Sequence, residues 1–137
     1  MKYSITNLDI IKNPKGDILK FLSSKDDNFS NFGEIYFSQI NYKSIKCWNC
    51  HSINNSKIIV VRGSVRFVFI TEVNKFFHHD ISADDKQIIS IKNNCIFGFQ
   101  GINDSKNTIM NLMDKPHDIN EVVKYDKDEF LFDGWLS

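Results

Sequence analysis

The sequence predicts an all-β domain, a sandwich or a barrel. Short apolar runs recur along the whole chain, separated by turns rich in Gly, Asn and Ser. Those runs carry many β-branched and aromatic residues, which suit a pleated, half-buried surface. No stretch shows a convincing long helical period. At 137 residues the chain reads as one domain, 1–137, long enough for a real core. Seventeen basic and seventeen acidic side chains cancel, so nothing in the charge supports a phosphate-backbone partner, and nucleic acid is not expected. The N-terminus has no apolar signal-peptide core and no run has transmembrane length. The expected setting is the cytoplasm, with no membrane partner and with Cys47, Cys50 and Cys95 as free thiols.

Taken in order, Asn13-Pro14-Lys15-Gly16 is a turn, and Asp17 to Leu22 is a strand or a single helical turn. Ser23 to Asn31 is a polar loop. Gly33 to Ile40 is a strand, with Ile35 and Phe37 on one face and Glu34, Tyr36 and Ser38 on the other. Ile45 to His51 is the next strand. Lys57 to Val61 and Val65 to Ile70 follow, and Gly63-Ser64 between them has the composition of a type II′ hairpin turn. Asn74 to Lys86 is a polar surface excursion that includes His78-His79-Asp80. Gln87 to Ile91 and Cys95 to Phe99 are strands. Asn107 to Met113 is a strand, although its Met and Leu residues also suit a helix. Val122-Val123 is a short apolar pair, and the tail to Trp135 is aromatic enough to dock.

Cys47-Trp48-Asn49-Cys50-His51 matches both the C-x-x-C redox pair and the C-x-x-C-H haem-attachment sequence. Either use needs both sulfurs on one side of the backbone, and a strand of period two separates residues three apart. An extended 45–51 instead puts Cys47, Asn49 and His51 on one face and Lys46, Trp48 and Cys50 on the other. A polar Asn/His face on an interior strand is out of place unless it lines a pocket; the bland alternative is an edge strand facing water.

A wider pattern joins these segments. Pro14-Lys15-Gly16-Asp17, Phe32 to Ser38, Lys46 to His51, Val60 to Val68, Gly98 to Ile102, and Pro116-His117-Asp118 with Glu121, Asp126 and Trp135 stand in order and at the right spacing. Together they resemble the small cupins related to dTDP-4-dehydrorhamnose 3,5-epimerase and the dTDP-sugar 3,4-ketoisomerases. The resemblance implies a jelly-roll β-barrel, usually a homodimer, that holds a dTDP-4-keto-6-deoxyhexose or similar substrate in deoxysugar biosynthesis. It implies isomerisation or epimerisation by proton abstraction next to a ketone, with no cofactor. The chain departs from the pattern at Asn49, where the family carries the first histidine of His-x-His, and asparagine cannot act as a base. The family's tyrosine acid has no counterpart near Lys115-Pro116. A catalytically silent binder of sugar nucleotides is the alternative, with a C-x-x-C redox or haem protein behind it.

On this reading His51 carries the proton and Asp126 orients or assists, as the catalytic pair. Asn49 and Arg66 position substrate, Arg66 through the fit of a guanidinium to phosphate oxygens. Lys57 stabilises an enolate, and His117 stands at the pocket rim. No metal is expected, since Asn49-Cys50-His51 lacks the cupin His-x-His and no carboxylate precedes Lys57. Phe67 and Phe69 belong to the core.

Overall fold

A computed structural model describes residues 2–72 and 74–137. Its strands are β1 (Tyr3–Asn7), β2 (Asp9–Ile11), β3 (Ile18–Lys20), β4 (Glu34–Ile40), β5 (Ile45–His51), β6 (Ser56–Arg62), β7 (Ser64–Glu72), β8 (Lys75–Ser82), β9 (Gln87–Ile91), β10 (Ile96–Gly101), β11 (Asn107–Met113) and β12 (Val122–Lys124). They form two five-stranded sheets, ordered β1-β9-β6-β11-β4 and β12-β5-β10-β7-β8, and a small β2-β3 hairpin. The described strand pairs within these sheets are antiparallel. This is the predicted all-β jelly roll, built from two facing sheets. Among the described residues no helix is long and apolar enough to cross a membrane.

The core lies between the sheets. Ile58 and Val60 of β6, Ile89 and Ile91 of β9 and Ile109 of β11 meet Val65, Phe67 and Phe69 of β7 and Phe97 and Phe99 of β10. Phe67 and Phe69 are fully buried, as their sequence position predicts. Burying side chains of this size contributes about 1.5–3 kcal/mol each.

The predicted hairpin at Gly63-Ser64 does not form. Its two runs are strands, but β6 belongs to one sheet and β7 to the other. Gly63 is the corner where the chain crosses between them. Its φ is +75°, and a Cβ there would collide with the Lys106 carbonyl and Asn107 Oδ1. Asn107, almost fully buried, secures the corner: Oδ1 accepts from the N–H of Ser64 at 3.0 Å, and Nδ2 donates to the Ile40 carbonyl at 3.1 Å. The polar excursion over 74–86 also needs correcting, since residues 75–82 form β8, an edge strand on β7. Lys75, His78 and Asp80 are exposed on it, while Ile81 is buried.

Beyond the core, a second aromatic cluster covers the outer face of the β7-bearing sheet. Trp48, fully buried, packs with Val68 and Ile70, and Phe76, Phe130, Phe132 and Trp135 close over it. The Trp48 indole N–H donates to the carbonyls of Lys127 and Phe130 at 3.3 and 3.1 Å. The tail docks as its composition predicts. Gln100, fully buried, clamps it by accepting from the Leu136 N–H at 2.7 Å and donating to the Leu136 carbonyl at 2.8 Å.

Strand β5 is irregular beside Trp48. The register of β5 against β10 shifts between Phe97 and Phe99, opposite Cys47-Trp48. Gly98 sits at the shift, and a Cβ there would run into the Cys47 Cβ. Gly98→Ala should therefore cost about 1–3 kcal/mol by overpacking. Urea denaturation of the variant should show that loss as a lower midpoint with an unchanged slope.

Candidate active site

Between the sheets lies a cavity of about 500 Å³. One wall is β5, which contributes Ile45, Lys46, Cys47, Asn49 and His51. The facing wall is Tyr36 and Ser38 of β4 with Ile109 and Asn111 of β11. Phe97 and Phe99 form an apolar floor, and His117, Val122 and Lys124 complete the lining. Residues 45–51 are extended, and Asn49 and His51 share the cavity face, as period-two alternation predicts, while Cys47 touches the cavity but also packs against the outer Trp48 cluster. Lys46 joins them, contrary to that alternation, because the register shift at Cys47-Trp48 breaks the period. Cys50 is buried and does not line the cavity, and all three cysteines are free. Burial raises the pKa of each thiol, that of Cys95 to about 11.

His51 is held from behind. Strand β12 pairs with the end of β5, Val122 opposite His51, which places Glu121 beside the ring. Glu121 is almost fully buried, yet its carboxylate is fully engaged. Oε1 accepts from His51 Nδ1 at 2.5 Å and from Asn54 Nδ2 at 3.1 Å, and Oε2 from the N–H groups of Ile53 at 3.1 Å and Asn54 at 3.2 Å. Burial pushes the Glu121 pKa up, but the hydrogen bonds from His51, the two backbone N–H groups and the Asn54 amide outweigh it and hold the group at about 2. Glu121 is therefore ionised at neutral pH and can only accept, so the proton on this bond resides on Nδ1. In the neutral ring Nε2 is then an unprotonated acceptor.

The facing wall offers hydrogen bonds. Asn111 Nδ2 donates to the Tyr36 hydroxyl oxygen at 3.0 Å, which leaves the phenol O–H free to donate. Burial raises the Tyr36 pKa, with the nearby Glu34 adding to the effect, so the phenol is protonated at neutral pH. Asn111 Oδ1 is buried with no partner among the described residues, an acceptor that a ligand hydroxyl would satisfy. No carboxylate is among the lining residues, whereas two lysines, Lys46 and Lys124, are. Lys46 Nζ donates to Ser38 Oγ at 3.1 Å and to the Gln39 carbonyl at 2.9 Å.

Of the residues read as site candidates, His51, Asn49 and His117 meet at this cavity. Asp126 does not: it is exposed and opens the short 3-10 turn Lys127–Glu129, where its N–H donates to Glu129 Oε1 at 3.2 Å. Arg66 lies away from the cavity and is fully committed, donating to both oxygens of Asp80 at 2.7 and 2.8 Å and to the Gly134 carbonyl at 2.5 Å. Lys57 projects from the opposite face of its sheet into a different pocket. His79, from the His-His-Asp run, meets the Tyr3 hydroxyl at 2.9 Å. Among the described residues no group of three His, Cys, Asp or Glu side chains is placed to hold a metal. Sequence reasoning missed Glu121 as a partner of His51, and it missed Tyr36, Asn111, Lys46 and Lys124. The alternation of Tyr36 and Ser38 against Ile35 and Phe37 was a usable signal for the facing wall.

No family model and no curated protein matches the chain. Solved structures do. A dTDP sugar isomerase from Desulfovibrio desulfuricans G20 is 24% identical, with a TM-score of 0.81 over 92% of this chain and 85% of that one. NovW, a 4-keto-6-deoxy sugar epimerase from Streptomyces spheroides, superposes with a TM-score of 0.83 at 14% identity, covering 99% of this chain and 75% of its own. The chain has the cupin jelly-roll fold of these enzymes. A mutant of a sugar 3,4-ketoisomerase from Thermoanaerobacterium thermosaccharolyticum, in complex with TDP-4-keto-6-deoxyglucose, shares it from end to end. Its TM-score is 0.79 at 13% identity, covering 96% of this chain and 98% of that one.

The Glu121 geometry has a direct consequence for stability. Its pKa in the folded protein, about 2, lies below the ordinary 4.5, so it stabilises the fold above pH 4.5 and the contribution disappears as the pH falls toward 2. The amount is on the order of 3 kcal/mol. Urea melts between pH 2 and 7 should show Glu121→Gln well below the parent at neutral pH, with the gap narrowing steadily below pH 4.5.

Proposed function

We propose that this protein is a sugar-nucleotide isomerase that moves a proton next to the ketone of a dTDP-4-keto-6-deoxyhexose or a close analogue. The observation that carries the reading is the His51–Glu121 pair. A buried carboxylate fixes the proton on Nδ1 and leaves a basic Nε2 on a residue that lines a cavity free of other carboxylates. That is the arrangement a general base needs. The shared fold with enzymes of this class supports the substrate.

In the proposed reaction Nε2 takes the proton from the carbon beside the ketone. The electron pair moves into a carbon–carbon double bond, and the carbonyl oxygen becomes an enolate. Asn49, which cannot replace a histidine as base, has an amide N–H₂ able to donate to that oxygen. The Tyr36 hydroxyl, oriented by Asn111, is the second donor and can pass a proton between neighbouring oxygens. His51 then returns its proton to a carbon. One base returning a proton from the side that removed it favours a carbonyl shift between adjacent carbons, so 3,4-ketoisomerisation is preferred over double inversion. Lys46 and Lys124 take the diphosphate, the role that Arg66 cannot fill while bound to Asp80. His117 adds a donor at the cavity edge.

We further propose that the protein works as a homodimer. The outer face of the β4-bearing sheet exposes Ile35 (46%), Phe37 (64%) and Val61 (41%). An apolar patch of this kind calls for a partner. Light scattering coupled to gel filtration should give twice the chain mass for the parent and the chain mass for Phe37→Asp.

The activity is tested with dTDP-4-keto-6-deoxyglucose in deuterated water, followed by NMR. The parent should incorporate deuterium at a carbon adjacent to the ketone, and His51→Ala should lose at least about a hundredfold in rate. The double variant Lys46→Gln/Lys124→Gln should bind dTDP more than tenfold more weakly. Binding without exchange in the parent would make the protein a silent sugar-nucleotide binder.

A further inference from the structure

A second cavity, of about 370 Å³, lies on the outer face of the β1-β9-β6-β11-β4 sheet, away from the His51 cavity. Its floor is a row of residues in register across adjacent strands. Ser4 of β1 stands opposite Ser90 of β9, and Ser90 stands opposite Lys57 of β6. Leu22, Asn28, Phe29, Ser30 and Asn31 of the loop after β3 complete the lining.

Lys57 is the unusual member. It sits on a central strand, half-buried, and its Nζ donates to Ser90 Oγ at 3.3 Å. Among the described residues no carboxylate lies within ion-pair distance of it. Asp114, which also lines the cavity, is already engaged. It accepts from the N–H of Asn55 at 3.0 Å, from Asn55 Nδ2 at 3.0 Å and from Ser30 Oγ at 3.4 Å. Asp26 accepts from the Ser23 N–H at 2.7 Å. Burial lowers the Lys57 pKa, while Asp114 and Asp26 pull it back at a distance. A partly desolvated ammonium without a counter-ion is costly, and an anion in the cavity would offset that cost. Because Ser90 Oγ accepts from Lys57, its own O–H is free to donate into the same space. Ser4 offers a second hydroxyl one strand away, at the usual strand spacing of about 4.8 Å. Lys92 adds a second positive charge to the lining. Lys57, Ser90, Ser4 and Lys92 bring cationic and hydroxyl groups to one cavity whose other walls include Leu22, Phe29 and Leu112, an arrangement that suits an anion.

We propose that this cavity is a binding site for a phosphate group, free or carried on a small metabolite, with Lys57 as its charge partner. The site is independent of sugar-nucleotide turnover, and no step of that reaction depends on it.

Calorimetric titration with inorganic phosphate, at ionic strength held constant with sodium chloride, tests it on the full chain. The parent should bind phosphate saturably at millimolar concentration or below. Lys57→Gln and Lys57→Met should weaken binding at least tenfold, with thermal melts verifying that both remain folded, and Ser90→Ala should weaken it about threefold. The double variant Lys46→Gln/Lys124→Gln, which strips the charge from the other cavity, should bind within twofold of the parent. Absence of saturable binding in the parent would overturn the proposal. So would binding that survives loss of Lys57, or that disappears with Lys46 and Lys124 instead. None of these readouts involves a sugar, so the outcome leaves the isomerase reading untouched.

Discussion

The buried carboxylate of Glu121 is the interaction on which the architecture of the site depends. It accepts four hydrogen bonds, from the His51 ring, from the N–H groups of Ile53 and Asn54, and from the Asn54 side chain. All four donors come from the end of β5 and the loop that follows. One side chain therefore anchors β12 to β5, shapes the turn into β6 and sets the tautomer of the imidazole. Leaving such a carboxylate buried but unpaired would be expensive, so the donors and the acceptor specify one another. Stability and chemistry are coupled here: the bonds that hold the chain together are the bonds that free Nε2.

The rest of the cavity follows from where β5 runs. On one side it pairs with β10, whose Phe97 and Phe99 form the apolar floor; on the other it pairs with β12, which brings Lys124 to the lining. Trp48, on the face opposite Asn49, packs into the aromatic cluster under the C-terminal tail, and the register shift opposite Gly98 lets Lys46 join the cavity face. The two cavities are thus separated by a sheet and carry different charge arrangements. Lys46 and Lys124 line the inner one with no carboxylate among the lining, while Lys57 sits in the outer one beside an occupied Asp114.

Much of this was legible from residues alone, for reasons that can be named. Period-two alternation is local, so the shared face of Asn49 and His51 followed directly from an extended chain, while Cys47, at the register shift, also packs with the outer cluster. The fold class followed from the spacing of short apolar runs. What failed depended on contacts distant in sequence. A glycine at positive φ serves a hairpin and a sheet-to-sheet corner equally well, and only the partners of β6 and β7 decide that Gly63 is a corner. Lys57 and Arg66 sit on strands as expected, but which face looks inward is set by the opposing sheet. Arg66 finds Asp80 on a strand whose polar composition reads as loop. Glu121 stands seventy positions from His51, in a polar segment without periodicity, and only the pairing of β12 with β5 joins them. Asp126 lies just beyond that strand, at the start of a turn, with its side chain in solvent.

The central claim is that Glu121 keeps a proton on Nδ1 of His51, so that Nε2 is the unprotonated nitrogen of the neutral ring. Long-range proton–nitrogen NMR on protein labelled with nitrogen-15 histidine reads this directly. In the neutral ring the His51 Nε2 signal should stand at the unprotonated position and the Nδ1 signal at the protonated one. Deprotonation at Nδ1, or a pair of averaged signals like those of a free histidine, would contradict the account.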